Sequence, residues 1–161
     1  GGEPLSVGKN LRFFGDGWQI SKLIGDRRYW RVPVMDGEFL AEESTGRCKA
    51  VGGGNFLVLA GSQEAALGAC EAAVRAMRQI PNVVMPFPGG IVRSGSKVGS
   101  KYKALMASTN QAYCPTLRGL VDSQLDERIS SVMEIVVNGL TPEDVRTAMR
   151  AGISAACEQG A

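Results

Sequence analysis

Twice along this chain an apolar run gives way to a capped amphipathic helix, and that order restricts the fold more than any other feature. Phe56-Leu57-Val58-Leu59-Ala60 reads as a continuous apolar strand. Ser62 then offers a capping side chain, and Gln63 to Gln79 is Ala-rich with Leu67, Cys70, Val74 and Met77 at helical spacing. Pro81 stops that helix, and Asn82-Val83-Val84-Met85 is a short strand. Further on, Ser131 to Val137 is a second strand, with Asn138-Gly139 as its turn. Thr141-Pro142-Glu143-Asp144 combines a cap, a proline at the first helical position and an acid three residues after the cap. The helix it starts runs to about Cys157, with Val145, Ala148, Met149, Gly152 and Ile153 expected inward.

Strand–helix–strand followed by strand–helix predicts an α+β fold, a ferredoxin-like split βαβ sandwich whose last strand is missing. An extra N-terminal hairpin stands in front: Tyr29 to Met35 is a strand, Asp36-Gly37 a turn signal, and Glu38 to Glu42 the return. Residues 1–28 are polar and glycine-rich and read as an N-terminal arm, leaving 29–161 as the lobe. In the arm, Phe13, Phe14 and Trp18 are expected to pack. Val51 to Asn55 reads as a flexible stretch, a glycine run that marks a bulge or a hinge before the strand. Tyr102 to Met106 fits a strand or one helical turn, Tyr113-Cys114-Pro115 a turn, and 118–130 a surface loop.

A final helix with no strand after it leaves a sheet position empty, so the expectation is either a truncated chain or a partner that fills the edge. On the strand 131–137, Met133, Ile135 and Val137 share one face, and Val132, Glu134 and Val136 the other. Both faces are apolar, so the second is expected to meet another lobe or subunit. A homo-oligomer, a dimer or a higher even state, is the expected assembly.

Composition removes several function classes. The chain has 161 residues, with 44% hydrophobic and 21% charged, as in soluble globular domains. A net charge of +2 gives no bulk basic field, so neither nucleic acid nor an anionic membrane is an expected partner. There is no histidine, which excludes a Ser-His-Asp triad, a Cys-His dyad and a His-containing zinc finger. Cys48, Cys70, Cys114 and Cys157 are dispersed with no Cys-x-x-Cys pair, which reads as reduced thiols in a cytoplasmic protein and predicts no metal site. Cys114 has no histidine to activate it and reads as structural.

Two features carry the functional argument. Pro86-Phe87-Pro88-Gly89-Gly90-Ile91-Val92-Arg93-Ser94-Gly95-Ser96-Lys97 opens with backbone-permissive residues and continues with serine- and glycine-spaced cations as far as Lys101. Glycines let a backbone approach a ligand, and adjacent N–H groups form anion cradles. Pro88, Gly89, Gly90, Ser94, Ser96, Lys97 and Lys101 are therefore candidate binding residues for a carboxylate or phosphate. The plain alternative is a solvated loop. No Walker A pattern is present, which argues against nucleotide hydrolysis. The second feature is Glu134, alone within Val132-Met133-Glu134-Ile135-Val136-Val137. A charge there costs free energy unless it is paired or protonated. It is either a strand glutamate paired with a lysine or arginine, or an acid–base group that donates to an oxygen developing negative charge.

Several motifs in one order then bear a resemblance to a family. Phe13-Phe14-Gly15-Asp16-Gly17, Gly53-Gly54-Asn55-Phe56, Pro86-Phe87-Pro88-Gly89-Gly90-Ile91-Val92, Ser94-Gly95-Ser96-Lys97 and Glu134-Ile135-Val136-Val137-Asn138-Gly139-Leu140 resemble formylmethanofuran:tetrahydromethanopterin formyltransferase, an acyltransferase family of one-carbon metabolism and methanogenesis. The similarity runs from about Gly8 to Gln159, and the chain resembles the second, distal lobe alone. It implies a two-lobed enzyme with ferredoxin-like cores and a site where subunits meet. It also implies Glu134 as catalytic residue and Asn138, in the same motif, as a binding residue. Formyl transfer implies a tetrahedral intermediate with no metal and no tightly bound cofactor; methanofuran and tetrahydromethanopterin, both polyanionic, are the carrier substrates. In methylotrophs the resemblance extends to a subunit of a formyltransferase/hydrolase complex. The alternative is a non-catalytic lobe that supplies oligomer contacts or ligand binding.

Overall fold

The computed structural model describes residues 2–93 and 95–160, so Ser94 lies outside the described residues. The chain divides into two compact units, Gly1–Lys49 and Ala50–Ala161. The N-terminal hairpin therefore belongs with the residues before it, and the boundary expected after residue 28 moves to Lys49. The reason is a strand, Ile20–Ile24, that its sequence pattern does not announce.

In the first unit the elements are β1 (Glu3–Leu5), α1 (Gly8–Leu11), β2 (Ile20–Ile24), β3 (Arg27–Val34), β4 (Gly37–Glu42) and β5 (Thr45–Arg47). β2, β3 and β4 form an antiparallel meander, while β1 pairs with β5. β2 runs back along β3 with Ile24 opposite Arg27, and Gly25 at φ 63° makes the tight turn between them. In the next hairpin Val34 pairs with Gly37, so Met35 and Asp36 form the turn, one position earlier than the Asp-Gly signal implied. Val32 and Ala41 are buried, and the Arg12 guanidinium stacks 4.7 Å from the Trp30 ring. Phe13, Phe14 and Trp18 do not pack as expected: they are 64%, 83% and 78% exposed. In the 3-10 turn Arg12–Gly15 it is the glycine that is buried, which leaves the rings outside.

The second unit orders β6 (Val51–Ala60), α2 (Gln63–Met77), β7 (Val83–Val84), β8 (Ser96–Val98), β9 (Ala107–Thr109), β10 (Ser131–Gly139) and α3 (Pro142–Glu158). Its main sheet has the order β6-β10-β7, all antiparallel, with α2 and α3 on one face. Val58 and Ala60 from β6 and Met133, Ile135 and Val137 from β10 meet Ala66, Cys70 and Met77 of α2 and Val145, Ala148 and Ala156 of α3. Small side chains let the two helices come close. A Cβ on Gly152 would lie 2.6 Å from the Met77 sulfur, so only glycine fits this crossing without a shift. The buried stripe of α3 runs through Val145, Ala148, Gly152 and Ala156. Ile153 falls at its border and is 42% exposed, and Leu67 of α2 is 41% exposed, both against expectation.

Both helix starts follow their sequence signals. The Ser62 hydroxyl accepts from Ala65 N at 3.1 Å. Thr141 and Asp144 close a capping box, with Thr141 Oγ1 accepting from Asp144 N and Asp144 Oδ2 from Thr141 N. Other expectations change. Val51 to Asn55 is not a hinge but the first half of β6, held by pairing to β10 across a bulge between Val137 and Gly139. Asn138-Gly139 is not a turn: both residues stay in β10, opposite Val84 and Val83. Tyr102 to Met106 is neither strand nor helix but bends and turns, between β8 and β9, which pair as a ribbon. Residues 118–130 lack regular structure yet are tied down, with Arg118 donating to the carbonyls of Asp126, Glu127 and Ile129.

No helix among the described residues is long and apolar enough to cross a membrane. The four cysteines are free thiols, and burial pushes the Cys70 thiol up to about 11. In the native protein Cys48 and Cys157 are expected to react with a thiol reagent, while Cys70 reacts only on unfolding. Because the folded value is the higher one, this thiol contributes stability that is whole below the ordinary value of 9.0 and is lost as pH rises through about 11. Thiol titration with and without denaturant checks the first point, and a pH series of melting curves the second.

Candidate functional site

Glu134 lies at the middle of β10, directly opposite Leu57 of β6. On its other side the proline–glycine segment returns as a single bridge: Val92 N donates to Glu134 O at 2.8 Å, and Glu134 N to Val92 O at 2.7 Å. Strand alternation sends the neighbours Met133 and Ile135 into the helix-covered core and the carboxyl to the opposite face. There it is 1% exposed.

The chain itself covers this carboxyl. Glu134 Oε1 accepts from Asn55 Nδ2 at 2.6 Å, and Oε2 accepts from the backbone N of Ser96 at 3.2 Å. Gly95, at φ 52°, lets the loop come over Leu57: a Cβ there would sit 3.8 Å from Leu57 Cδ2. This burial arises within the chain, on the face that is expected to meet another lobe or subunit. The structure also removes the expected cation, since Glu134 makes no ion pair among the described residues and both of its donors are neutral. Each carboxyl oxygen uses one lone pair on these bonds and keeps one for a proton or a ligand donor.

Among those expected binding residues that the structure describes, only Ser96 reaches the Glu134 carboxyl by a hydrogen bond, and it does so through its backbone rather than its hydroxyl. Pro88, Gly89 and Gly90 form a 3-10 turn in which Pro88 and Gly89 are exposed while Gly90, at φ 84°, is buried against Val74. Lys97 is half-buried in β8 opposite Ser108, and Lys101 is exposed; neither side chain has an ion pair among the described residues. Asn138 turns to the β6 bulge, where its Oδ1 accepts from Gly53 N at 3.0 Å. The site residue that sequence reasoning missed is Asn55. Its signal was present: it is the one polar side chain within the strand Val51–Ala60. Treating 51–55 as a hinge hid its register.

Beyond the Val92 bridge, a cavity of about 410 Å³ opens along β10 at Ser131 to Met133, lined also by Gln63, Arg93, Gly95, Tyr113 and Cys114. Cys114 donates to Asn110 O at 3.4 Å, consistent with a structural part. Two apolar grooves, of about 600 and 340 Å³, follow β6 beside α3. Among the described residues no cluster of histidine, cysteine or acidic side chains can hold a metal ion.

Comparison with known proteins adds a family to this geometry. The model for "FTR, proximal lobe" matches residues 37–161, and that for formylmethanofuran-tetrahydromethanopterin formyltransferase matches residues 2–34. Residues 37–161 thus match the proximal-lobe model, which does not bear out the distal lobe expected from the sequence. A formylmethanofuran–tetrahydromethanopterin formyltransferase of Methylobacillus flagellatus is 70% identical over 157 residues, covering 98% of this chain and 52% of the relative. A subunit of the formyltransferase/hydrolase complex of Methylorubrum extorquens is 50% identical over 167 residues, covering 100% of this chain and 54% of the relative. Among solved structures, the formyltransferase from Methanosarcina barkeri superposes with a TM-score of 0.68 at 42% identity, over 97% of this chain and 53% of that one. The Methylorubrum extorquens complex, bound to methylofuran, superposes with a TM-score of 0.70 at 49% identity, over 99% and 54%. The chain spans about half the length of the relatives it matches.

Proposed function

Because this chain belongs to the formylmethanofuran–tetrahydromethanopterin formyltransferase family, we propose that it is the lobe of such an enzyme that carries the acid–base residue, Glu134. The reaction moves a formyl group from the amine of one carrier to the amine of the other. The incoming amine forms a C–N bond to the formyl carbon, and the carbonyl electron pair moves to oxygen. The tetrahedral intermediate then expels the first amine as the carbonyl re-forms. The attacking nitrogen must lose a proton and the departing nitrogen must gain one. A carboxylate that takes the first and returns it to the second keeps both steps balanced. The observation that carries this reading is a carboxyl isolated from cations and held by two neutral donors, Asn55 and the Ser96 N–H. Asn55 acts as a positioning residue.

The loop from Pro88 through Ser94 and Ser96 to Lys97, with Lys101, supplies backbone donors and cations for the anionic carriers, and Asn138 holds the adjoining bulge. The order β6-β10-β7 supports a ferredoxin-like reading of this lobe, as a split βαβ unit whose fourth strand would lie along the outer edge of β6, unpaired among the described residues. Free thiols throughout suit a reducing, cytoplasmic compartment. Homo-oligomeric assembly, or assembly as in the related formyltransferase/hydrolase complex, completes the site. A second reading, a non-catalytic lobe, draws on the 1% exposure of Glu134, which also suits a purely structural carboxyl.

Formyl transfer from formylmethanofuran to tetrahydromethanopterin, assayed on a full-length protein containing this lobe and on the lobe alone, separates the two readings. Transfer by the full-length protein is expected, with little or none by the lobe. Its absence from the full-length protein overturns the enzyme reading.

A further inference from the structure

The cavity beyond the Val92 bridge has a property that the proposed acid–base chemistry leaves unused. Among the described residues Arg93 is its single charged lining residue, and no aspartate or glutamate joins it. Among the described residues Arg93 has neither an ion pair nor a side-chain hydrogen bond. The other polar contributions come from hydroxyl and amide groups, including Tyr113, Thr116, Ser130, Ser131 and Gln63.

The sheet supplies a further donor. Glu134 turns its N–H and C=O toward Val92, away from β6. In an antiparallel strand that direction recurs every second residue. Val132, two positions earlier and opposite Leu59, therefore turns its N–H and C=O to the same side. Among the described residues no strand covers that edge: β7 pairs at Asn138 and Gly139, and Val92 at Glu134. Val132 lines the cavity. A cation, a strand N–H with no partner among the described residues and several hydroxyls, with no acid among the described lining residues, form a receptor for an oxygen-rich anion.

We infer that this cavity is an anion subsite in which Arg93 and the Val132 strand edge hold a carboxylate or phosphate of one carrier, beside Glu134. This rests on the proposed formyl transfer, and it assigns the anchoring of one substrate to residues outside the acid–base group. A guanidinium–oxyanion contact formed equally in the ground and transition states changes KM and leaves kcat alone.

In a full-length protein, Arg93→Ala is expected to raise KM for one carrier by about 10- to 100-fold, with kcat within about threefold. Arg93→Lys, which keeps the charge but not the fork, is expected to fall between. Arg93 is exposed, so both variants should melt with the parent. Inorganic phosphate and glutarate serve as probes: competitive inhibition by one of them, weakened in Arg93→Ala, names the anion. Unchanged KM for both carriers, or a loss confined to kcat, overturns the subsite. Glu134→Gln on the same protein keeps the two claims apart. Undiminished turnover there would refute the acid–base reading, while the Arg93 result is read from KM alone.

Discussion

Glu134→Gln in a full-length protein is expected to lower turnover by about 100-fold or more while leaving substrate binding nearly unchanged. Glutamine keeps the shape of the side chain but cannot take up and return a proton. It offers one oxygen and one NH2 where the carboxyl offered two oxygens to Asn55 Nδ2 and Ser96 N. The Ser96 N–H can donate only, so the glutamine oxygen must face it. Asn55 can rotate its amide and accept from the new NH2. Both hydrogen bonds then survive, and the stability change should stay within about 1 kcal/mol. Turnover and melting temperature measured on one preparation decide the matter. A stable but slow variant supports the chemistry. A variant that turns over at the parental rate per folded molecule removes Glu134 from the mechanism.

Ile135→Ala, one residue further along the same strand, should do the reverse. Ile135 is 0% exposed and packs in the core between the sheet and the helices. Truncating a fully buried aliphatic side chain loses its transfer free energy and leaves a cavity, together about 2–5 kcal/mol. For a domain of this size that lowers the melting temperature by roughly 5–20 °C. The side chain points to the face opposite the carboxyl, so activity per folded molecule should persist below the transition. Leu67→Ala, at a site 41% exposed, is the comparison and should cost well under half as much. Urea unfolding curves with equal slopes for all three proteins confirm that the difference is one of stability. Equal stability of Ile135→Ala and the parent would contradict the core described here.

The contrast between neighbouring residues shows what could be read early. Strand alternation and an apolar setting single out Glu134 from the sequence alone. The Ser62 and Thr141 caps, the two helices and the strand Ser131–Val137 follow from interactions within a few residues of one another. Less was legible where pairing is long-range. Val51 to Asn55 looked like a hinge because its glycines carry no side-chain pattern. In the fold, β10 supplies their hydrogen-bond partners from about 80 residues away and turns Asn55 toward Glu134. Ile20 to Ile24 had too mixed a pattern to stand as a strand until Arg27 to Arg31 lay beside it.

By itself, then, the sequence determined the types of its most regular elements, the positions of the two helix starts and the residue whose charge had to be explained. Those depend on side-chain periodicity and on short-range hydrogen bonds, which are present in the local order of residues. Only the tertiary structure decided what meets that residue. Asn55 and the Ser96 N–H, rather than a cation, hold Glu134, and the chain's own loop buries it. Strand register and loop closure bring these groups together, and both are set by contacts whose sequence separation leaves no local trace.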